Sequence, residues 1–149
     1  MMLRAIVNYF SFFIAGMLLL LTAAVLNFWP SSSWFEVRSV RVFDSKAGES
    51  PLMAVDRTIK RDFRGEWLAS IRRLENGGWV SFCTAIGHAN YEADSHLPDP
   101  LTLRWWTYPD CHPLTPGKYV MRTSWVIHGA GPLPDKEVVA DSNIFEVRE

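Results

Sequence analysis

Cys83 and Cys111 are the only cysteines in the 149-residue chain. An even cysteine count behind an apolar leader reads first as a disulfide, because such a leader would deliver the thiols to an oxidising compartment. Closing a loop of this length stabilises a small domain by roughly 3–4 kcal/mol. Free thiols are one alternative. A zinc site built from Cys111, His112 and either His88 or His128 is the other, although its spacing fits no standard ligand pattern. No Cys-x-x-Cys, P-loop, Gly-x-Gly-x-x-Gly, His-Glu-x-x-His or Gly-x-Ser-x-Gly occurs, so the sequence offers no catalytic motif and no cofactor. The expectation is a non-enzymatic protein.

The residues best suited to recognition are aromatic and basic. Trp105 and Trp106 are adjacent, and on a strand they would face opposite sides of a sheet. With Leu101 and Leu103 in register, Trp105 falls inward and Trp106 outward beside Arg104, the Trp–Arg combination that is over-represented at binding hot spots. Residues 87–100 read as a long irregular loop, and loops of that length often carry function. His88, Tyr91 and His96 lie within it. Trp106, Arg104, His88, Tyr91 and His96 are therefore the candidate partner-binding residues, with sugar stacking on Trp106 as one form of that chemistry. The basic run Arg57, Lys60, Arg61, Arg64, Arg72 and Arg73 is interspersed with Asp56, Asp62 and Glu66, which reads as a solvated sheet face. Fifteen basic residues against sixteen acidic ones give a formal charge of −1. That balance creates no global field for nucleic acid.

The elements that would position these groups begin at residue 35. Glu36 to Phe43 alternates charged with apolar residues, as a half-buried strand does. Residues 44–51 read as a turn and 52–61 as a weaker extended segment. Residues 66–74 and 79–86 flank Asn76-Gly77-Gly78, a strong hairpin signal. Further strands are expected at 101–108, 118–127 and 144–148, with 128–141 as a second long loop. Short strands at regular spacing, about seven in all and with no helix among them, point to an antiparallel all-β sandwich over residues 36–149.

Leu114-Thr115-Pro116-Gly117-Lys118-Tyr119, followed by an alternating strand to Trp125, resembles the tyrosine corner that leads into strand F of immunoglobulin-like and fibronectin type III-like sandwiches. Ser142 to Val147 is similar to their closing strand G. The resemblance implies that the Tyr119 hydroxyl bonds back to the preceding loop. Met121 stands where antibody domains carry the second cysteine of their inter-sheet bridge. A Cys83–Cys111 bond would instead tie the strand that carries Cys83 to the loop before strand F. A family this broad implies a binding, adhesive or assembly module and names no ligand.

The first 35 residues have a different character. No charged residue occurs from Ala5 to Phe35, and about 20 apolar residues suffice to cross a bilayer as a helix. The reading is a transmembrane helix over residues 5–29 that anchors the chain in the bilayer, with Tyr9, Trp29 and Trp34 at the membrane interfaces. A cleaved signal peptide is the competing account. Residues 1–4 would be cytoplasmic and 30–35 a linker. With Arg4 ahead of the span, the positive-inside rule sends the body outward. The expected location is thus the inner membrane, single-pass, with the β-domain periplasmic or extracellular and another envelope protein as partner. A structural subunit of a larger bacterial or phage-encoded envelope complex and a carbohydrate-binding module are the two alternatives.

Overall fold

The computed structural model describes residues 2–98, 100–107, 111–129 and 134–149; within the first helix, side chains are described at 10–26 and 28. The chain divides into two compact units, residues 1–30 with 129–134, and residues 31–128 with 135–149. The first unit is built on helix α1, Met2–Phe28. Every described side chain in it from Phe10 to Val25 is exposed. Among the described residues, no helix is long and apolar enough to cross a membrane. This corrects the transmembrane helix over residues 5–29 and the single-pass placement in an inner membrane.

The interface residues change with it. Tyr9 lies outside the described side chains. Trp29 is 39% exposed beside Pro30. Trp34 belongs to the second unit, packed at the edge of its core with the Arg61 guanidinium 5.7 Å over its ring. A 3-10 turn at Ser31–Ser33 leads into it.

The second unit is a sandwich-like all-β fold of two sheets. The smaller holds β1 (Phe35–Val42), β3 (Leu52–Ile59) and β6 (Leu101–Thr102), in the order β1-β3-β6. The larger runs β2-β9-β7-β4-β5, from β2 (Ser45–Lys46), β9 (Phe145–Arg148), β7 (Gly117–Ile127), β4 (Phe63–Glu75) and β5 (Gly78–Tyr91), with β8 (Lys136–Asp141) also on β7. Pairing is antiparallel except where β2 meets β9 and at an isolated bridge between Val40 and Ser142. Alternation explains the strands. Along β7, Tyr119, Met121, Thr123, Trp125 and Ile127 are buried, while Lys118 just before them and Arg122 between them are exposed, the period-two pattern of a one-sided strand. Asn76 (φ 49°) and Gly77 (φ 82°) both adopt positive φ, as a tight hairpin turn between β4 and β5 requires.

Three segments depart from the expected pattern. The 101–108 strand stops at Thr102 and becomes helix α2, Leu103–Thr107; Tyr108 lies outside the described residues. β5 continues to Tyr91, so the irregular stretch starts five residues later than 87. The expected loop 128–141 contains β8, and its residues 130–133 lie outside the described set. Strands number nine among the described residues rather than about seven, two of them only two residues long.

One local device joins the sheets. Between β8 and β9 the chain leaves β7 at Ser142-Asn143. The Asn143 carboxamide there accepts from the Val42 N–H at 2.8 Å and donates to the Val42 carbonyl at 2.9 Å. One side chain thus replaces a strand partner for the end of β1. Ser142 stays on β7, its N–H donating to the Met121 carbonyl at 2.8 Å and its Oγ accepting from the Met121 N–H at 2.9 Å. Two residues before Met121 on β7, the Tyr119 hydroxyl donates to the Thr115 carbonyl at 2.7 Å. Val42 is 1% exposed, so removing its partner strands two buried backbone groups. Asn143→Ala is therefore expected to lower unfolding stability by about 2–3 kcal/mol, read as a shift in the urea midpoint. An unchanged midpoint would mean that water replaces the carboxamide freely.

Candidate functional site

The site is created where the smaller sheet ends early. β6 meets β3 through only two residue pairs, Leu52 with Thr102 and Met53 with Leu101. The chain then winds into α2. Thr102 Oγ1 accepts the Trp105 N–H at 3.3 Å, and Ser50 Oγ accepts the Arg104 N–H at 3.0 Å, the side-chain capping that starts a helix. Leu103, Trp106 and Thr107 then share one face, as residues at i, i+3 and i+4 do, and all three are buried. The expected orientation of the tryptophans is thereby reversed. Trp106 is 6% exposed and Trp105 is 59% exposed, because a helix turns each residue by about 100° where a strand alternates.

A cleft of about 660 Å³ lies between α2, β3 and the end of β5. Trp67 lines it from β4 and Arg57 from β3. The end of β5 contributes His88, Asn90 and Tyr91, and the following segment Ser95 and Leu97. Thr102, Arg104, Trp105 and Trp106 complete the wall. The indoles form a continuous surface, Trp67 to Trp106 at 6.1 Å and Trp105 to Trp106 at 6.2 Å between ring centroids. Gly87 pairs with Trp67 across the β4–β5 ladder. A Cβ on Gly87 would stand 2.7 Å from two atoms of that indole, so only glycine lets the ring lie across β5 in this way.

The electrostatics of the cleft are one-sided. Among the described residues that line it, none is acidic. The Arg57 guanidinium sits 5.5 Å over the Tyr91 ring, and its Nε is buried with no hydrogen-bond partner. Burial pulls the Arg57 pKa down, against an opposing pull from Tyr91. Burial likewise pushes the Tyr91 hydroxyl up, opposed by the Arg57 charge. Tyr91 is held from behind by Phe63, stacked at 4.6 Å and 10°.

Cys83 and Cys111 form a disulfide with their Cα atoms 5.6 Å apart. It ties β5 to the segment that follows α2, so two walls of the cleft are covalently linked. Of the residues singled out in the sequence, Trp106, Arg104, His88 and Tyr91 meet in this cleft. His96 does not. It lines a neighbouring groove of about 420 Å³ with Ser39, Arg41 and Asp56, and Arg57 and Leu97 border both. Sequence reasoning missed Arg57, which it dissolved into a basic run, and Trp67, whose signal is the glycine opposite it. Tyr119 and the membrane-interface candidates Trp29 and Trp34 do not line the cleft. Among the described residues no group of three or more His, Cys, Asp or Glu is placed to hold a metal ion.

Behind α2, the Thr107 hydroxyl donates to the Leu103 carbonyl at 2.9 Å. Its single hydrogen is thus committed, so His112 Nε2, 3.1 Å from the same oxygen, must carry the hydrogen of that second bond. His112 Nδ1 is then a bare lone pair, buried without a partner. Adding a proton there would bury an N–H with no acceptor. Burial, and next the Arg104 charge, accordingly lower the His112 pKa below its ordinary value of 6.5. The unfolded chain takes up a proton near pH 6.5 that the folded chain takes up only at lower pH. Stability from the neutral ring is therefore complete above about pH 6.5 and is lost as pH falls below it. The urea midpoint of the native chain should fall more steeply below about pH 6.5 than that of His112→Gln; equal slopes would contradict the assigned tautomer.

Comparison of the chain with protein-family models, with curated proteins and with solved structures gives no match.

Proposed function

We propose that the chain is a non-enzymatic binding module of immunoglobulin-like architecture whose working surface is the cleft between α2, β3 and β5. The order β9-β7-β4-β5 in the larger sheet parallels the G-F-C-C′ run of a variable-type sheet, and β1-β3-β6 parallels the A, B and E strands. The Tyr119 hydroxyl bond to Thr115 supports the same reading. The cleft itself carries the functional part. Its volume lies within the range of about 300–1,000 Å³ common to ligand pockets, and its wall is aromatic with a few convergent polar groups. Trp105 is exposed by 59% within that wall, an indole face open to a flat ligand, and this also supports the carbohydrate-binding variant of the reading. Removal of its ring should not cost the fold. Against a panel of glycans and ring-containing fragments, Trp105→Ala is expected to weaken binding about tenfold or more with an unchanged melting temperature, read by calorimetric titration. Ligands that bind Trp105→Ala as well as the native chain would overturn this reading of the cleft.

A second reading, a structural subunit of a larger complex, is favoured by α1. Its exposed Phe12, Leu19 and Leu20 are 73–78% accessible, and contiguous apolar surface of this kind marks a contact site. On this reading the full chain sediments as an assembly, and Leu19→Glu with Leu20→Glu disperses it. A monomer before and after substitution would exclude self-assembly through α1.

A further inference from the structure

We propose that the ligand of this cleft is a small organic anion, a carboxylate, sulfate or phosphate carried on a flat ring, held at its charge by Arg57 and Arg104 and at its ring by Trp105 and Trp106. The inference rests on the cleft being the binding site and adds the chemical class of what enters it. Charge complementarity is the first support. Two guanidinium groups line the cleft and no described lining residue is acidic. Elsewhere in the same domain some guanidinium groups find carboxylates: Arg122 makes a two-pronged pair with Asp141 at 2.7 and 2.8 Å, Arg148 pairs with Asp44 and Arg38 with Asp56, whereas Arg41 and Arg61, like Arg57, lie over aromatic rings. Neither Arg57 nor Arg104 has an ion-pair partner among the described residues.

The second support is the state of Arg57. Its side chain is half-buried, its Nε is shielded from water without an acceptor, and a π-face is its described neighbour. A buried donor left unmade is costly, and a charged one more so. An oxygen anion arriving in the cleft would supply the missing charge, and a guanidinium is matched to it by its planar fork of donors. The third support is the wall. The exposed Trp105 indole, backed by Trp106 and Trp67 tilted at 50° and 43°, gives the ligand body a stacking face that does not discriminate between a sugar ring and an aromatic one. The charge, not the ring, therefore sets selectivity.

Two matched pairs test this. Glucuronate against glucose forms the sugar arm, and 1-naphthoate against 1-naphthylmethanol forms the aromatic arm. Each is titrated into the full chain by calorimetry. In at least one arm the anion should bind about tenfold or more tightly than its neutral partner. That preference should shrink severalfold between about 0.02 M and about 0.5 M salt and nearly vanish in Arg57→Gln and in Arg104→Gln. Arg104 is exposed, so its substitution keeps the test valid if Arg57→Gln does not fold. Trp105→Ala, run in parallel, should weaken both members of the pair alike. Equal binding of charged and neutral members, with Trp105→Ala weakening both, would overturn the anion while leaving the cleft in place. A preference that survives both arginine substitutions would overturn it as well. So would the absence of binding by all four probes at about 10 mM.

Discussion

Trp125 of the larger sheet touches rings of the smaller sheet and of α2, and the rest of the domain is arranged around it. It sits on β7, the strand to which β4, β8 and β9 all pair, and it has no exposed surface. Phe35 of the smaller sheet lies 5.3 Å from it and Trp106 of α2 lies 6.1 Å from it, both edge to face. Large rings in such arrangements contribute more than their buried area alone. They also set the spacing of two sheets, which pack about 10 Å apart. Phe35 in turn meets Phe63 at 5.7 Å and Tyr91 at 6.0 Å. One aromatic cluster therefore fixes the back of the cleft.

The front of the cleft is a consequence of that anchoring. Trp106 is drawn inward against Trp125, and the helical step between neighbours then carries Trp105 out to solvent. The disulfide binds β5 to the chain just beyond α2, and the Gly87 seat keeps the Trp67 indole flat. Each device removes freedom from a wall before any ligand arrives. Preorganisation of this kind gains affinity by lowering the ordering cost of binding.

Much of this was legible from residue order, and the failures have identifiable causes. The alternation of β7 is long enough to declare itself, and Asn76-Gly77 declares the hairpin. The segment 101–107 is different. Leu101, Leu103 and Trp105 alternate as a strand would, whereas Leu103, Trp106 and Thr107 fit a helix, and a five-residue helix is too short for periodicity to arbitrate. What decides is tertiary: Trp106 gains a buried site against Trp125, and Thr102 caps the turn. The partnership of Trp67 with Gly87 is hidden by a bulge. Counting back from the hairpin gives the right pairs down to Arg72 with Ser81, but the register then shifts at Ile71. Each pairing beyond that point is displaced by one residue. Helix α1 was legible as a helix from its unbroken apolar run, but that run alone did not decide whether it spans a bilayer, and among the described residues no helix is long and apolar enough to do so.

On the proposed reading, ligand binding happens at the indole wall and not elsewhere on the domain. Fluorine NMR of the full chain carrying 5-fluorotryptophan reads this directly, because each indole reports separately once assigned by substitution. On adding a ring-bearing anion that binds, the resonances of Trp67, Trp105 and Trp106 should move together, while those of Trp29 and Trp79 stay in place. Movement at Trp79 or Trp29 with the three cleft indoles unchanged would contradict the account.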